Sequence, residues 1–197
     1  MNENRFLALA ALLLSLIVGA CSPQPSESPP LQGASIGGPF TLTDQDGRQV
    51  SDTDFAGRYR LVYFGFTYCP DVCPVDLQLI GQGLRQLEKE APAVAAKVQP
   101  IFITVDPERD TPAVLKEFVA AFHPRLIGLT GTPEQIADVA KSHGVYYMEE
   151  PTPGTDGYLV NHSRIAMLFG PQGEPIAIVP HDQGVEAFVE ELKTWVK

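Results

Sequence analysis

Apolar positions fall into distinct kinds of run along this chain. From Phe6 to Ala20 no residue is charged, and Arg5 stands in front. That run is too short for a comfortable membrane-spanning helix and suits the core of a signal peptide. Ser22 to Pro30 then holds four prolines and three serines. Such a segment is too polar to pack and is stiffened by proline, so it reads as a tether. From Phe40 the pattern becomes that of a folded domain. Phe40-Thr41-Leu42-Thr43 alternates like a half-buried strand, Asp46-Gly47 is a hairpin turn signal, and Val50 opens the return strand. Leu61–Phe66 and Val98–Val105 are apolar without alternation, as in a sheet covered on both faces.

Helical spacing appears between these strands. Pro74 suits the first turn of a helix, and Leu77, Ile80, Leu84, Leu87 and Ala91 follow on one face. Gly81 and Gly83 count against a helix there. Thr111-Pro112 opens a second helix with Leu115, Phe118, Val119 and Phe122 on its apolar side. Leu126–Leu129 is a short strand. Thr132-Pro133-Glu134-Gln135 is a capping box, with Ile136, Val139 and Ala140 pointing inward. Pro151 to Gly157 reads as a loop. Arg164–Phe169 and Ile176–Val179 are strands joined by the tight turn Gly170-Pro171-Gln172-Gly173, with Met167 in the core. A last helix carries Val185, Phe188, Val189, Leu192 and Val196.

This order predicts an α/β sheet with parallel crossovers first and an antiparallel pair last. It matches a thioredoxin-like fold with an N-terminal β-hairpin extension. The expected organisation is a lipoprotein signal peptide over 1–20, a Pro/Ser-rich tether over 21–38 and one domain over 39–197.

Composition narrows the function. The 197 residues carry a formal net charge of -10, which argues against nucleic acid as a partner. Three cysteines are present and are not equivalent. Val18-Gly19-Ala20-Cys21 resembles a bacterial lipoprotein signal, in which cleavage leaves a lipidated Cys21. The expected location is therefore the periplasmic side of a membrane, with the exported domain anchored through that lipid.

Cys69 and Cys73 lie where the strand ending at Phe66 meets the helix begun near Pro74. Four residues apart in helical geometry, their Cβ atoms would lie roughly 5–6 Å apart. Such a pair can form a disulfide, react as a redox couple or ligate a metal. A helix N-terminus favours thiolate, which serves both of the last two. Thioredoxin-type redox enzymes space their cysteines by two residues, and here there are three, which leaves room for an ion. Two thiolates and one imidazole would suit copper, sulfur favouring Cu(I) and nitrogen admitting Cu(II). Four histidines are candidates. His123 and His143 end helices, where a cation complements the dipole. His181 reads as a surface turn residue. His162, in Val160-Asn161-His162-Ser163, precedes a strand; from position alone it is equally a ligand or an ordinary core or loop histidine.

Three stretches resemble the Sco (SenC-type) copper chaperone family. They are Phe64-Gly65-Phe66-Thr67-Tyr68-Cys69-Pro70-Asp71-Val72-Cys73-Pro74, Val105-Asp106-Pro107-Glu108-Arg109-Asp110-Thr111-Pro112 and Val160-Asn161-His162-Ser163. The resemblance runs from about Phe40 to the end. It implies a membrane-tethered, thioredoxin-like protein that binds one copper ion, Cu(I) or Cu(II), through Cys69, Cys73 and His162. It also implies work on the dinuclear copper centre of cytochrome c oxidase, by copper delivery or by reduction of target cysteines. The implied partner is the copper-centre subunit or another copper chaperone, met as a monomer. Asp71 and Asp110 are candidates for shaping the site. Many relatives carry Asp where this chain has Asn161, which could orient the imidazole without adding charge.

Two alternatives stand beside this expectation. An exported thiol-disulfide oxidoreductase or thiol peroxidase would use Cys69 as attacking thiol and Cys73 as resolving thiol. Against it, thioredoxin-type enzymes have a cis-proline before the late strand, where this chain has Asn161-His162-Ser163. A structural disulfide in a binding module would instead make the pair inert. A metallochaperone is not an enzyme in the turnover sense.

Overall fold

The computed structural model describes residues 28–155 and 157–197. The expected signal segment and the lipidation of Cys21 lie outside the described residues.

Nine strands and five α-helices follow one another in the described chain: β1 Thr41–Asp44, β2 Gln49–Ser51, β3 Tyr59–Gly65, α1 Val72–Glu90, α2 Pro92–Ala95, β4 Val98–Thr104, α3 Pro112–Phe122, β5 Ile127–Thr130, α4 Pro133–Ser142, β6 Tyr147–Pro151, β7 Tyr158–His162, β8 Ala166–Phe169, β9 Pro175–Val179 and α5 Val185–Trp195. A 3₁₀ turn over Asp52–Phe55 joins β2 to β3. Seven strands form one sheet in the order β2-β1-β5-β4-β3-β8-β9. β3, β4 and β5 are parallel, while β8 and β9 run antiparallel beside them. The N-terminal hairpin does not stand apart: β1 pairs antiparallel with β5 and extends the sheet.

Both central strands are buried along their whole length, which is why they read as unbroken apolar runs. Their alternate side chains feed two cores. Tyr63 and Phe102 pack with Leu77, Leu84, Leu115 and Phe188 on the side of α1, α3 and α5. Phe64 and Ile103 pack with Leu42, Ile136 and Val139 on the side of α4. The helix caps follow their sequence signals. Thr111 accepts from the Val114 N–H, and Thr132 and Gln135 form a reciprocal capping box.

The two glycines that count against α1 are contacts between helices. A Cβ on Gly81 would lie 2.6 Å from the Phe122 carbonyl oxygen, and one on Gly83 would lie 2.2 Å from the Phe188 ring. Packing against α3 and α5 requires their bare backbones.

Three expectations need correction. Residues 31–38 run along the domain instead of away from it. Leu31 N–H donates to the Ile176 carbonyl at 2.9 Å, Gly37 N–H to the Ser142 carbonyl at 2.8 Å, and Ile36 packs on the α4-side core. The expected loop lies in its place, between Pro151 at the end of β6 and Tyr158 at the start of β7; what the sequence does not announce is that these two strands pair antiparallel as a separate two-stranded sheet. β6 escapes notice because four of its five residues are exposed and its pattern does not alternate. His123 and His143 do end α3 and α4, but they are buried, and burial pushes both imidazoles below the usual histidine range. They sit neutral in the core and do not serve as dipole-complementing cations. His181 is likewise buried, with its ring edge-on to Tyr63.

Candidate metal centre

β3 and α1 meet at the carboxyl end of the parallel strands, and the chain between them brings two sulfurs to that edge. Cys69 is half-buried and Cys73 fully buried. The Cys73 N–H belongs to the first turn of α1, where no carbonyl within the helix can take it. It donates instead to Cys69 Sγ at 3.4 Å. Gly65 ends β3 beside them; a Cβ there would lie 3.0 Å from Cys73 Sγ, so the glycine leaves the space the sulfur fills.

His162 closes the group from the end of β7. Its Nε2 lies 3.1 Å from Cys73 Sγ. Its Nδ1 lies 3.1 Å from the Ser163 carbonyl, which can only accept, so Nδ1 carries a proton and Nε2 is the nitrogen turned to the sulfurs. The rings of Phe66 and Tyr63 stand edge-on to the imidazole at 5.9 and 6.4 Å between centroids. The ligating atoms of Cys69, Cys73 and His162 all lie within 4.8 Å of one another, the one such group of three among the described residues.

The two thiols are unlike. The Cys73 thiol hydrogen-bonded to Cys69 lowers the Cys69 pKa far below the ordinary thiol range. His162 and the backbone N–H groups of Cys73 and Asp71 add to this against the opposing effect of burial. Cys73 is pushed up, first by holding the shared proton toward Cys69 and then by burial. The pair therefore holds one proton between two sulfurs, with the charge on the more accessible one. Both sulfurs must be deprotonated to bind a cation, so metal binding would release the proton on Cys73.

Asp110 shapes the thiol loop. Its buried carboxylate accepts from the Thr67 N–H at 3.0 Å, from Thr67 Oγ1 at 2.5 Å and from Thr104 Oγ1 at 2.6 Å. Burial pushes Asp110 up, while these donors pull the other way. Asp71 is exposed at the helix start and makes no side-chain capping bond. Asn161 does not orient the imidazole. It faces the opposite side of β7 from His162 and donates to Glu150 Oε1 at 2.7 Å.

Two surrounding groups were not legible as site residues. Arg109 lies over the rings of Tyr158 at 3.7 Å and Tyr68 at 5.0 Å, and it donates to Asp106 and to the Tyr158 carbonyl. It thereby ties the thiol loop to the hairpin that carries His162. Asp76 lies one turn beyond Cys73, entirely buried, and takes hydrogen bonds from Tyr63 and Arg164. Burial works to raise its pKa, but His181, Arg164 and Tyr63 together outweigh that and keep the carboxylate ionised. An acid on the otherwise apolar face of α1 was the available signal.

Comparison with known proteins agrees with this geometry. A sequence description of the SCO1/SenC family matches residues 28–197. The SCO2 homolog, mitochondrial, of Bos taurus is 50% identical over 144 residues, covering 73% of this chain and 53% of its own length. The chain spans about half the length of the curated relatives it matches. The structure of Bradyrhizobium japonicum ScoI with copper bound superposes with a TM-score of 0.74 at 41% identity, over 81% of this chain and 99% of that one. BsSco, a member of the Sco family of cytochrome c oxidase assembly proteins in which a disulfide switch was identified, superposes with a TM-score of 0.63 at 25% identity, over 87% of this chain and all of that one (100%).

Proposed function

This chain belongs to the SCO1/SenC family, and from that premise we propose that it binds one copper ion through Cys69, Cys73 and His162 and hands it on during assembly of cytochrome c oxidase. The observation that carries this is the convergence of two sulfurs and one imidazole nitrogen within 4.8 Å at the open end of the sheet. Thiolates suit Cu(I), and the imidazole extends the site to Cu(II). Three protein ligands leave a coordination position for an acceptor's own donor atom, as transfer to the oxidase copper centre requires. Copper is here a cargo, so the chain need not turn over as an enzyme.

The unequal thiols support a second role at the same site. An ionised Cys69 can attack a disulfide in a target, forming a mixed disulfide and releasing one target thiolate. Attack by Cys73 on Cys69 Sγ then releases the second, so two electrons pass to the target and Cys69–Cys73 becomes oxidised. This would prepare acceptor cysteines for copper.

Location follows the expectation of a lipid on Cys21, with the domain on the periplasmic side. Among the described residues no helix is long and apolar enough to cross a membrane.

The deciding experiment is copper titration of the reduced chain lacking Met1 to Pro30, read by absorbance and native mass. One copper per chain is expected, with a sulfur-to-Cu(II) charge-transfer band that vanishes when both cysteines are serine. No retained copper, with rapid exchange against a disulfide peptide, would leave the reductase role alone.

A further inference from the structure

A second contact joins the two elements that meet at the metal centre. Asp76 stands three residues beyond Cys73 on α1, and Arg164 stands two residues beyond His162. Arg164 donates from Nη2 to Asp76 Oδ1 at 2.7 Å and from Nε to Oδ2 at 3.0 Å. This is a two-pronged bond of fixed geometry. Tyr63 Oη donates to Oδ2 at 2.7 Å, and His181 Nε2 faces the same oxygen at 3.3 Å. The carboxylate is thus clamped from β3, from the segment before β8 and from the segment before α5.

The contact matters because of what β7 lacks. β6 and β7 form their own sheet, with no ladder to the seven-stranded one. The main chain at His162 therefore has no strand neighbour in the main sheet to set its distance from α1. Near the ligand its anchors are the Ser163 N–H bond back to the Tyr146 carbonyl, within the hairpin, and the Arg164 side chain reaching across to Asp76, while Arg109 and Asp106 hold the far end of β7 at Tyr158. Apart from the contact of the ring with Cys73 Sγ, the Arg164 side chain connects the histidine's segment directly to the helix that carries Cys73.

We propose that Asp76 is a positioning residue for this centre: by holding Arg164 it presents the His162 imidazole to the two sulfurs before any ion arrives. The proposal rests on Cys69, Cys73 and His162 being the copper ligands. Without the contact, the imidazole would have to be ordered at the moment of binding, and that ordering weakens affinity. The sulfurs would be unaffected, since they sit on one turn. The loss should fall on the ion that depends more on nitrogen, Cu(II), and spare Cu(I).

Asp76→Ala would strand the buried Tyr63 hydroxyl and leave the buried His181 without its facing carboxylate and can fail to fold, so the partly exposed Arg164 is the position to change. The first arm uses the reduced, copper-free full chain with 15N-labelled histidine. Wild type should show a sharp, solvent-protected His162 Nδ1–H signal; Arg164→Gln should broaden it or lose it, and Arg164→Lys should recover part of it. The second arm titrates Cu(II) in wild-type and His162→Ala backgrounds. Arg164→Gln should weaken Cu(II) about tenfold in the first background and by no further amount in the second. An unchanged ring signal, or equal losses in both backgrounds, overturns the proposal. A loosened ring in a protein whose wild type takes up no copper would sustain the positioning role and overturn the copper reading instead.

Discussion

Cys73 Sγ and His162 Nε2 lie 3.1 Å apart although 89 positions separate them along the chain. That contact brings the histidine from the far end of the chain onto the sulfur pair, and with Cys69 it marks the place a cation would take. Cys69→Ser or Cys73→Ser should abolish stoichiometric copper binding. His162→Ala should weaken Cu(II) more than Cu(I). Competitive titration against chelators of each oxidation state checks both, and retention of one tightly held copper by either serine variant would remove the two-sulfur site.

The unequal thiols make a kinetic prediction. A free thiol loses about tenfold in alkylation rate for each pH unit below its pKa near 8.5, because only thiolate reacts. Cys69 lies well below that range and Cys73 well above it. In the reduced, metal-free protein, iodoacetamide should label Cys69 at a rate that stays nearly flat from about pH 8 to about pH 6, where free cysteine slows sharply. Cys73 should remain unlabelled. Peptide mapping after timed quenching distinguishes the two.

Acid should destabilise the domain through its buried histidines. His143 is packed between Phe64 and Phe169, with Nδ1 2.8 Å from the Val139 carbonyl, and burial lowers its pKa. His123 is lowered for the same reason. In the unfolded chain both would take up a proton near about pH 6.5. The unfolded state thus binds more protons below that pH, so their contribution is fully present above it and is lost as pH falls toward the folded values. Urea midpoints should drop between pH 7.5 and pH 5, and His143→Gln should flatten that slope.

Gly83→Ala should destabilise, against helix propensity. Alanine in a helix interior is favoured over glycine by about 1 kcal/mol. Here the added methyl would meet the Phe188 ring at 2.2 Å, and overpacking of this kind costs about 1–3 kcal/mol. A lower thermal midpoint for Gly83→Ala, beside a neutral or raised one for an exposed control such as Gln82→Ala, separates packing from propensity.

The thiol loop, its strand and its helix are legible in sequence because they are local: apolar run, cysteines and Pro74 follow one another directly. The helix starts are legible because a capping residue and its partner lie within one turn. What escaped depends on distant partners. His181 looks like a surface turn residue until Tyr63 and Asp76 cover it. Asn161 looks like an orienting residue until the alternation of β7 sends it to Glu150. Gly81 and Gly83 count against a helix only while the α3 carbonyl and the α5 ring they touch are out of view.

The bond from Leu31 to the Ile176 carbonyl bears on where the chain can be cut. β9 is an outer strand of the sheet, and it carries the exposed Ile178. Leu31 occupies part of the row of backbone groups that a second strand would otherwise pair with. A domain trimmed to begin at residue 39 would bare that row and invite edge-to-edge association of copies, whereas one beginning at Leu31 keeps its own segment in place.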